Sequence, residues 1–409
     1  MRRVVIAVLA AVVIAGAVAA GVWGADAGRN APGIAVPSTG NFPVAHQVSC
    51  SSATSCLVVG SAANPATGTS VPVAQVLSGG AWRTVTVASP GPDGMSSALT
   101  GVSCPAVSYC LAVGEYNTTS FGDPVPYAMA WNGTSFTPVA RFSLPAGAYM
   151  DALGGVSCPA ANRCVVVALA TGSGTPAGFG DGDLVWTWNR GRWAMKAVPS
   201  PDNTDMENFS SLQCSTLTYC VAAGQQDMDA SGNTLPALDT WNGKSFTPIN
   251  APLTPGMTFG GFNGLSCVSR KHCVVVGSGY PVAGAPTTSF LDVWNGRRWN
   301  YTPWAGPAGS GNAALSGVSC VSARDCVAIG SDSLAGVLQT AVFAWDGSAW
   351  AAATAPDSGA GQVTLFNDVD CVKAVGCTAI GEQIAATTGM NSTPVAGQWN
   401  GASWQLTTR

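Results

Sequence analysis

The 409 residues hold 21 Asp and Glu, 14 Cys and two His, His46 and His272, so acid–base chemistry would fall to carboxylates. Asp181/Asp183 and Asp205/Glu207 each stand two residues apart. Paired carboxyls of this kind serve as general acid and base when a fold sets them across a substrate. In loops they are more often separate, solvated charges. Asp227-Met228-Asp229-Ala230-Ser231-Gly232-Asn233 opens like a D-x-D-x-S-G calcium loop, with hard oxygens at alternating positions and Gly at the sharp turn. Leu238 occupies the place of the Glu that closes a helical calcium hand, and Asp239 follows it. Asp227, Asp229 and Ser231 are therefore candidate Ca2+ ligands, against an ordinary Asp/Gly loop. The sequence requires no other cofactor.

The cysteines reveal what positions these groups. All fall into C-x5-C pairs: Cys50/Cys56, Cys104/Cys110, Cys158/Cys164, Cys214/Cys220, Cys267/Cys273, Cys320/Cys326 and Cys371/Cys377. That spacing fits neither the short zinc motifs nor a redox C-x-x-C, and with two His in the chain it argues for disulfides. The first Cys recurs after 54, 54, 56, 53, 53 and 51 residues. A Trp-Asn-Gly signature follows most pairs, as at Trp131-Asn132-Gly133 and Trp294-Asn295-Gly296, with a second aromatic five residues after the Trp.

Each repeat reads as four strands. In the second, strand A is Leu99–Cys104, B Cys110–Gly114, C Tyr127–Trp131 and D Phe136–Val139. Asn-Gly between C and D predicts a two-residue type I′ turn, and the two aromatics meet across the hairpin. Seven such units predict an all-β, seven-bladed β-propeller of four-stranded blades with one C-x5-C disulfide per blade. Closing each seven-residue ring is worth roughly 2–2.5 kcal/mol by loop entropy. Strand A, with small residues before its Cys, belongs nearest the axis. His46, Asn263 and Asn367 share one column of it with Thr100, Ser210 and Ser316, where a ligand or structural water would sit.

The organisation is then residues 1–27 as a leader, 28–41 as a linker and 42–409 as the propeller, with repeats starting near 42, 96, 150, 206, 259, 312 and 363. Arg2 and Arg3 precede an apolar run from Val4 to Trp23, and Ala25-Asp26-Ala27 offers a cleavage site. The alternative is an uncleaved membrane tether through residues 4–23. Both place the ring outside the cytoplasm, secreted or at the cell surface, where disulfides persist. Removing residues 1–27 takes away two Arg and one Asp and leaves a net charge of −5. With 9% charged residues and an acidic balance, no nucleic-acid partner is expected. The ring is expected to be monomeric.

The pattern S-C-x5-C-x-x-x-G followed by W-N-G-x-x-W resembles secreted, Cys-paired propeller repeat proteins of high-GC Gram-positive bacteria, and more distantly sialidase- and kelch-type propellers. The resemblance covers about residues 42–409 and implies export and a ring. It does not imply a reaction. A sialidase-like site needs three Arg on the face formed by the D–A and B–C loops, where only Arg141 falls here.

That face carries fourteen acids, and the opposite A–B and C–D turns carry ten Lys and Arg, including Arg270, Lys271, Arg297 and Arg298, against two Asp. Polar turns that merely keep a ring soluble would also be charged. As a functional pattern, the sequence predicts an acidic recognition face and a basic face suited to anionic polymer. The candidate ligand-binding residues are Tyr116, Asp151, Asp181, Asp183, Glu207, Phe259 and Phe366, together with the calcium-loop Asp227 and Asp229. The expected function is non-catalytic binding of glycan, cell-wall polymer or an extracellular protein. A glycan-cleaving enzyme using acidic-face carboxylates is the alternative.

Overall fold

Twenty-eight described strands sort into seven separate antiparallel sheets of four, each in simple chain order. A computed structural model of the protein describes residues 44–408, apart from 120–121, 140–143, 146, 173–181, 200–206, 227–232, 250–258, 281–285, 305–311, 335, 373–375, 387, 389–391 and 401–402. Blade 2 consists of Ser97–Ala106, Tyr109–Asn117, Pro124–Trp131 and Phe136–Pro138. Strand A of each blade packs on strand A of the next. The last, Gln362–Cys371, packs on the first, Val44–Ser52, so the sheets close into a seven-bladed propeller with strand A innermost. Closure uses whole blades, and no described strand of one terminus pairs into the sheet of the other. Gly33–Val36, a further strand that closure could use, lies outside the described residues.

All seven C-x5-C pairs are disulfides: Cys50–Cys56, Cys104–Cys110, Cys158–Cys164, Cys214–Cys220, Cys267–Cys273, Cys320–Cys326 and Cys371–Cys377. Their Cα atoms lie 3.9–4.1 Å apart, and each staples strand A to strand B at the same turn. Between blades lie apolar seams. Val165, Val167 and Val185 of blade 3, for example, meet Leu212, Ala222, Ala237 and Trp241 of blade 4. Each fully buried Val or Leu contributes about 1.5–3 kcal/mol. The hairpin aromatics cover the outer strands as expected, with centroids from 5.0 Å (Trp188–Trp193) to 5.8 Å (Trp294–Trp299).

The column that contains Ser210, Asn263 and Ser316 is a line of β-bulges, where strand A carries one residue more than strand B. The extra residue turns its side chain to the next blade. Ser210 Oγ donates to the Phe262 carbonyl at 3.1 Å, Asn263 Nδ2 to Leu315 at 2.7 Å and Ser316 Oγ to Phe366 at 2.7 Å. These side chains tie blade to blade. The bulge also explains the Gly four residues after the second Cys. A Cβ on Gly114 would stand 2.0 Å from the Ala98 carbonyl oxygen, so only Gly fits against the displaced strand.

The C–D turn differs from expectation. Asn132 is not in the left-handed region, and Trp131 pairs with Phe136 around a four-residue loop. Asn132 Oδ1 accepts the N–H groups of Thr134 and Ser135, each at 2.9 Å, in an Asx-capped turn with Gly133 at φ 97°. The two-residue form occurs in blade 3, where Arg190 and Gly191 both have positive φ and Asn189 pairs with Arg192. Asn-Gly is therefore a sound hairpin signal, but the Asn acts through its side chain.

Candidate functional site

Strand alternation decides where the carboxylates go. In strand C of blade 3 (Gly182–Asn189), Val185 faces the seam with blade 4, so Asp183, two residues earlier, faces it too. In strand C of blade 4 (Pro236–Trp241), Ala237 and Trp241 face the same seam from the other side and Asp239 lies between them. Glu207 opens strand A of blade 4. Asp183 is 7% exposed and Asp239 1%.

The three groups interact. Burial pushes Asp239 up to about 6, opposed by its hydrogen bond with Glu207. Asp183 is held well above the ordinary carboxylate range by burial first, then by the charges of Glu207 and Asp239. One oxygen of each Asp, Oδ1 in both, is fully enclosed and has no hydrogen-bond partner among the described residues. Two enclosed, unpaired carboxyl oxygens facing one seam hold protons or a cation far more readily than two free charges.

The seven repeats supply an internal reference. At the position of Asp183, five residues before the hairpin aromatic or its equivalent, stand Pro72, Pro126, Pro236 and Pro394 in other blades. At the position of Asp239 stand Met129, Trp186 and Phe343. Blade 5 alone repeats the acid there, as Asp292, which is 0% exposed, has neither oxygen paired among the described residues and is pushed up to about 7 by burial. It lacks the companions found one seam earlier.

A second acidic pair sits where blade 7 meets blade 1. At five seams a Ser before the first Cys accepts the N–H of the next blade's first Cys. Ser49 serves Cys104 at 3.0 Å, and Ser103, Ser157, Ser266 and Ser319 serve Cys158, Cys214, Cys320 and Cys371 at 2.9 Å. At the closing seam the acceptor is Asp370, with Oδ2 2.7 Å from Cys50 N. Asp368 Oδ2 likewise accepts Val48 N at 2.9 Å, and its Oδ1 takes the N–H of Val369. Walled in by strands, Asp368 is pushed up to about 7 and Asp370 to about 6, in each case by burial against the hydrogen bonds that favour the charge.

The other predicted residues separate into rim and core. Tyr116 and Phe366 are 4% and 2% exposed and pack in apolar seams, so their side chains offer no surface to a ligand. Both face inward because they sit within paired strands, with no place on a loop. Asp151 is exposed and accepts Thr171 Oγ1 at 3.5 Å. Phe259 is half-buried on the loop face and stacks on Tyr280, its register partner, with centroids 5.1 Å apart and planes 27° from parallel. Tyr280 was missed, although its place at the end of strand B opposite Phe259 is readable from the repeat. Asp181 and the calcium-loop residues Asp227, Asp229 and Ser231 lie outside the described residues.

The disulfide cysteines also belong to the core and not to a ligand site. On strand B, Cys56, Cys110, Cys164, Cys220, Cys273, Cys326 and Cys377 are each at most 5% exposed. Every one of them packs into an apolar cluster, because strand B lies between strands A and C with its faces turned to the neighbouring blades. Their pairing is as the spacing predicts; what the spacing does not report is that these sulfurs fill the seams as hydrophobic side chains. No thiol is free among them, so they offer neither a nucleophile nor a metal ligand.

Two other places carry less chemistry. His272 stands near Cys320 and Cys326, but those sulfurs are joined in a disulfide and offer no thiolate to a metal. A cavity of about 80 Å³ between blades 6 and 7 lies toward the turn face, lined mostly by apolar side chains such as Val327, Val342, Trp399 and Trp404, with Asp325 and Ser319 also on its wall. No described helix is long and apolar enough to cross a membrane. Seven disulfides suit an extracytoplasmic setting.

The sequence matches no protein-family model and no curated protein. Solved structures do match in fold. A GH74 xyloglucanase from Xanthomonas campestris aligns at 13% identity and TM-score 0.52, over 88% of this chain and 52% of that one. A PL25 ulvan lyase aligns at 8% identity and TM-score 0.50, over 90% and 96%. YCF48 bound to a D1 peptide aligns at 13% identity and TM-score 0.47, over 83% and 91%. At such identities the likeness is one of fold. The two propellers at TM-score 0.50 and above, a xyloglucanase and an ulvan lyase, share the ring and say nothing of a reaction here.

Proposed function

We propose that this protein is an extracytoplasmic binding ring that recognises a glycan or cell-wall polymer through its loop face. The observation that carries the reading is the half-exposed Phe259/Tyr280 stack on that face. Flat aromatic surface with a phenolic oxygen at its edge suits the apolar face and hydroxyls of a sugar. Exposed carboxylates are sparse and lie elsewhere on the ring: Asp93, Asp123, Asp151 and Asp357 are spread over several blades and crossovers. Such spacing supplies separate hydrogen-bond acceptors across an extended ligand, whereas the closely gathered carboxyls are enclosed in a seam. An extracellular protein is the other partner this face suits.

The test is mass spectrometry of the oxidised protein incubated with purified wall and polysaccharide fragments, recording retained ligands and new products. Retained, intact glycan is expected, with retention falling at least about tenfold in Phe259→Ala and Tyr280→Ala, the size of one lost aromatic anchor. New cleavage products would overturn the binding reading in favour of a glycan-cleaving enzyme. Retention of a protein with no glycan would move the partner to the second class.

A further inference from the structure

We infer that the seam between blades 3 and 4 is a site for a hard divalent cation, Ca2+ in kind, held by Asp183, Glu207 and Asp239. The inference does not depend on what the loop face binds. It begins from the two enclosed Oδ1 atoms, which face one seam from opposite blades and have no donor among the described residues. A buried acceptor without a donor is costly to keep. Pro fills the first position in four of the six other blades, and Gln, Met, Trp, Phe or Gly fills the second in five of six, so the fold itself does not demand an acid at either.

The donor set selects the ion. Three carboxylates with no thiolate or imidazole suit Ca2+ or Mg2+ over zinc or copper, and Ca2+ tolerates irregular, many-oxygen coordination that Mg2+ does not. The three carboxyls do not converge on one point as a filled coordination shell does, and Asp239 and Glu207 share a hydrogen bond, so an ion entering the seam would have to displace that proton and draw the carboxyls inward. Asp292 provides the contrast within the same molecule. It is an equally enclosed acid at the equivalent of Asp239, but the positions of Asp183 and Glu207 are filled around it by Pro236 and Gly260. Burial alone raises Asp292, whereas Asp183 also feels the charges of Glu207 and Asp239 beside it.

The experiment is calcium titration of the full oxidised protein by calorimetry, in two buffers of different ionisation enthalpy, with Tb3+ luminescence as a second probe. One Ca2+ is expected to bind with an affinity in the range of extracellular modules, about 10⁻⁴ to 10⁻³ M, releasing protons as it does so. Trp241, two residues from Asp239 on the same face, should sensitise bound Tb3+. Asp183→Asn and Asp239→Asn should each weaken binding at least about tenfold, and Asp292→Asn should leave it unchanged. No Ca2+ or Tb3+ binding up to about 10 mM, or binding unaltered in both seam variants, overturns the site. Loss of binding in Asp227→Asn with both seam variants intact also overturns it, placing the ion on the loop instead. If one seam variant does not fold, the other decides together with proton release from the unaltered protein.

Discussion

Two seams of this ring hold pairs of aspartates, one half-buried and one fully buried, and they do opposite things with them. Where blade 7 meets blade 1, Asp368 and Asp370 accept backbone N–H groups of Val48 and Cys50 across the joint. Where blade 3 meets blade 4, Asp183 and Asp239 each enclose an oxygen that nothing described satisfies. The first pair extends a pattern, since Ser performs the same backbone task at five other seams. The second departs from one. Burial and a raised pKa are common to both, so neither property alone distinguishes a latch from a site; the distinction is whether the fold supplies the donors.

The strongest way to break this contrast is to remove one acid from each seam. Asp370→Ala strands the Cys50 N–H at the closing joint and should cost about 1–3 kcal/mol. Asp370→Ser, which copies the other seams, should recover most of that. Asp239→Met, which copies blade 2, replaces a carboxyl whose Oδ1 has no donor among the described residues by apolar contact, loses the Glu207 hydrogen bond, and should stay within about 1 kcal/mol of neutral without calcium. Urea unfolding near pH 6 measures all three. If Asp239→Met destabilises as much as Asp370→Ala, both pairs are structural and the contrast fails.

The repeat made the ring legible because disulfide spacing, strand alternation and turn residues all report on local geometry. The innermost strand could be read from the small residues at Gly101, Gly155, Gly264 and Gly317. Burial across seams was less legible. Cys56, Cys164, Cys220 and Cys273 announce their partners by spacing, yet their place in the apolar seams depends on the blade beside them. Tyr116 and Phe366 read as rim aromatics because they lie near loops in sequence, but strand pairing continues past them and turns both inward. In the sequence Asp183 and Glu207 look like loop charges, and Asp239 only like a neighbour of the calcium motif. Their meeting depends on which face of a strand looks toward the next blade. Comparing each repeat position across all seven blades supplies that signal, because an acid among prolines or large apolar residues is conspicuous there.

A smaller effect sharpens the comparison through pH. Asp368, Asp370 and Asp239 all titrate higher in the fold than a free carboxyl, near 7, 6 and 6. A raised folded pKa means the native state binds more protons than the unfolded chain between about pH 4 and 7, so stability is fully present below that window and falls as pH rises through it. Saturating calcium should flatten only the part of this slope owed to Asp183 and Asp239, because the ion takes the place of their protons, while the part owed to Asp368 and Asp370 remains. Asp370→Ser should do the converse, removing Asp370's part of the closing seam's share, keeping that of Asp368 and leaving the calcium response intact. Unfolding midpoints at several pH values, with calcium and with chelator, separate the two shares. A slope that calcium leaves untouched would mean that protons alone occupy the blade 3–4 seam, making it a second latch in place of a site.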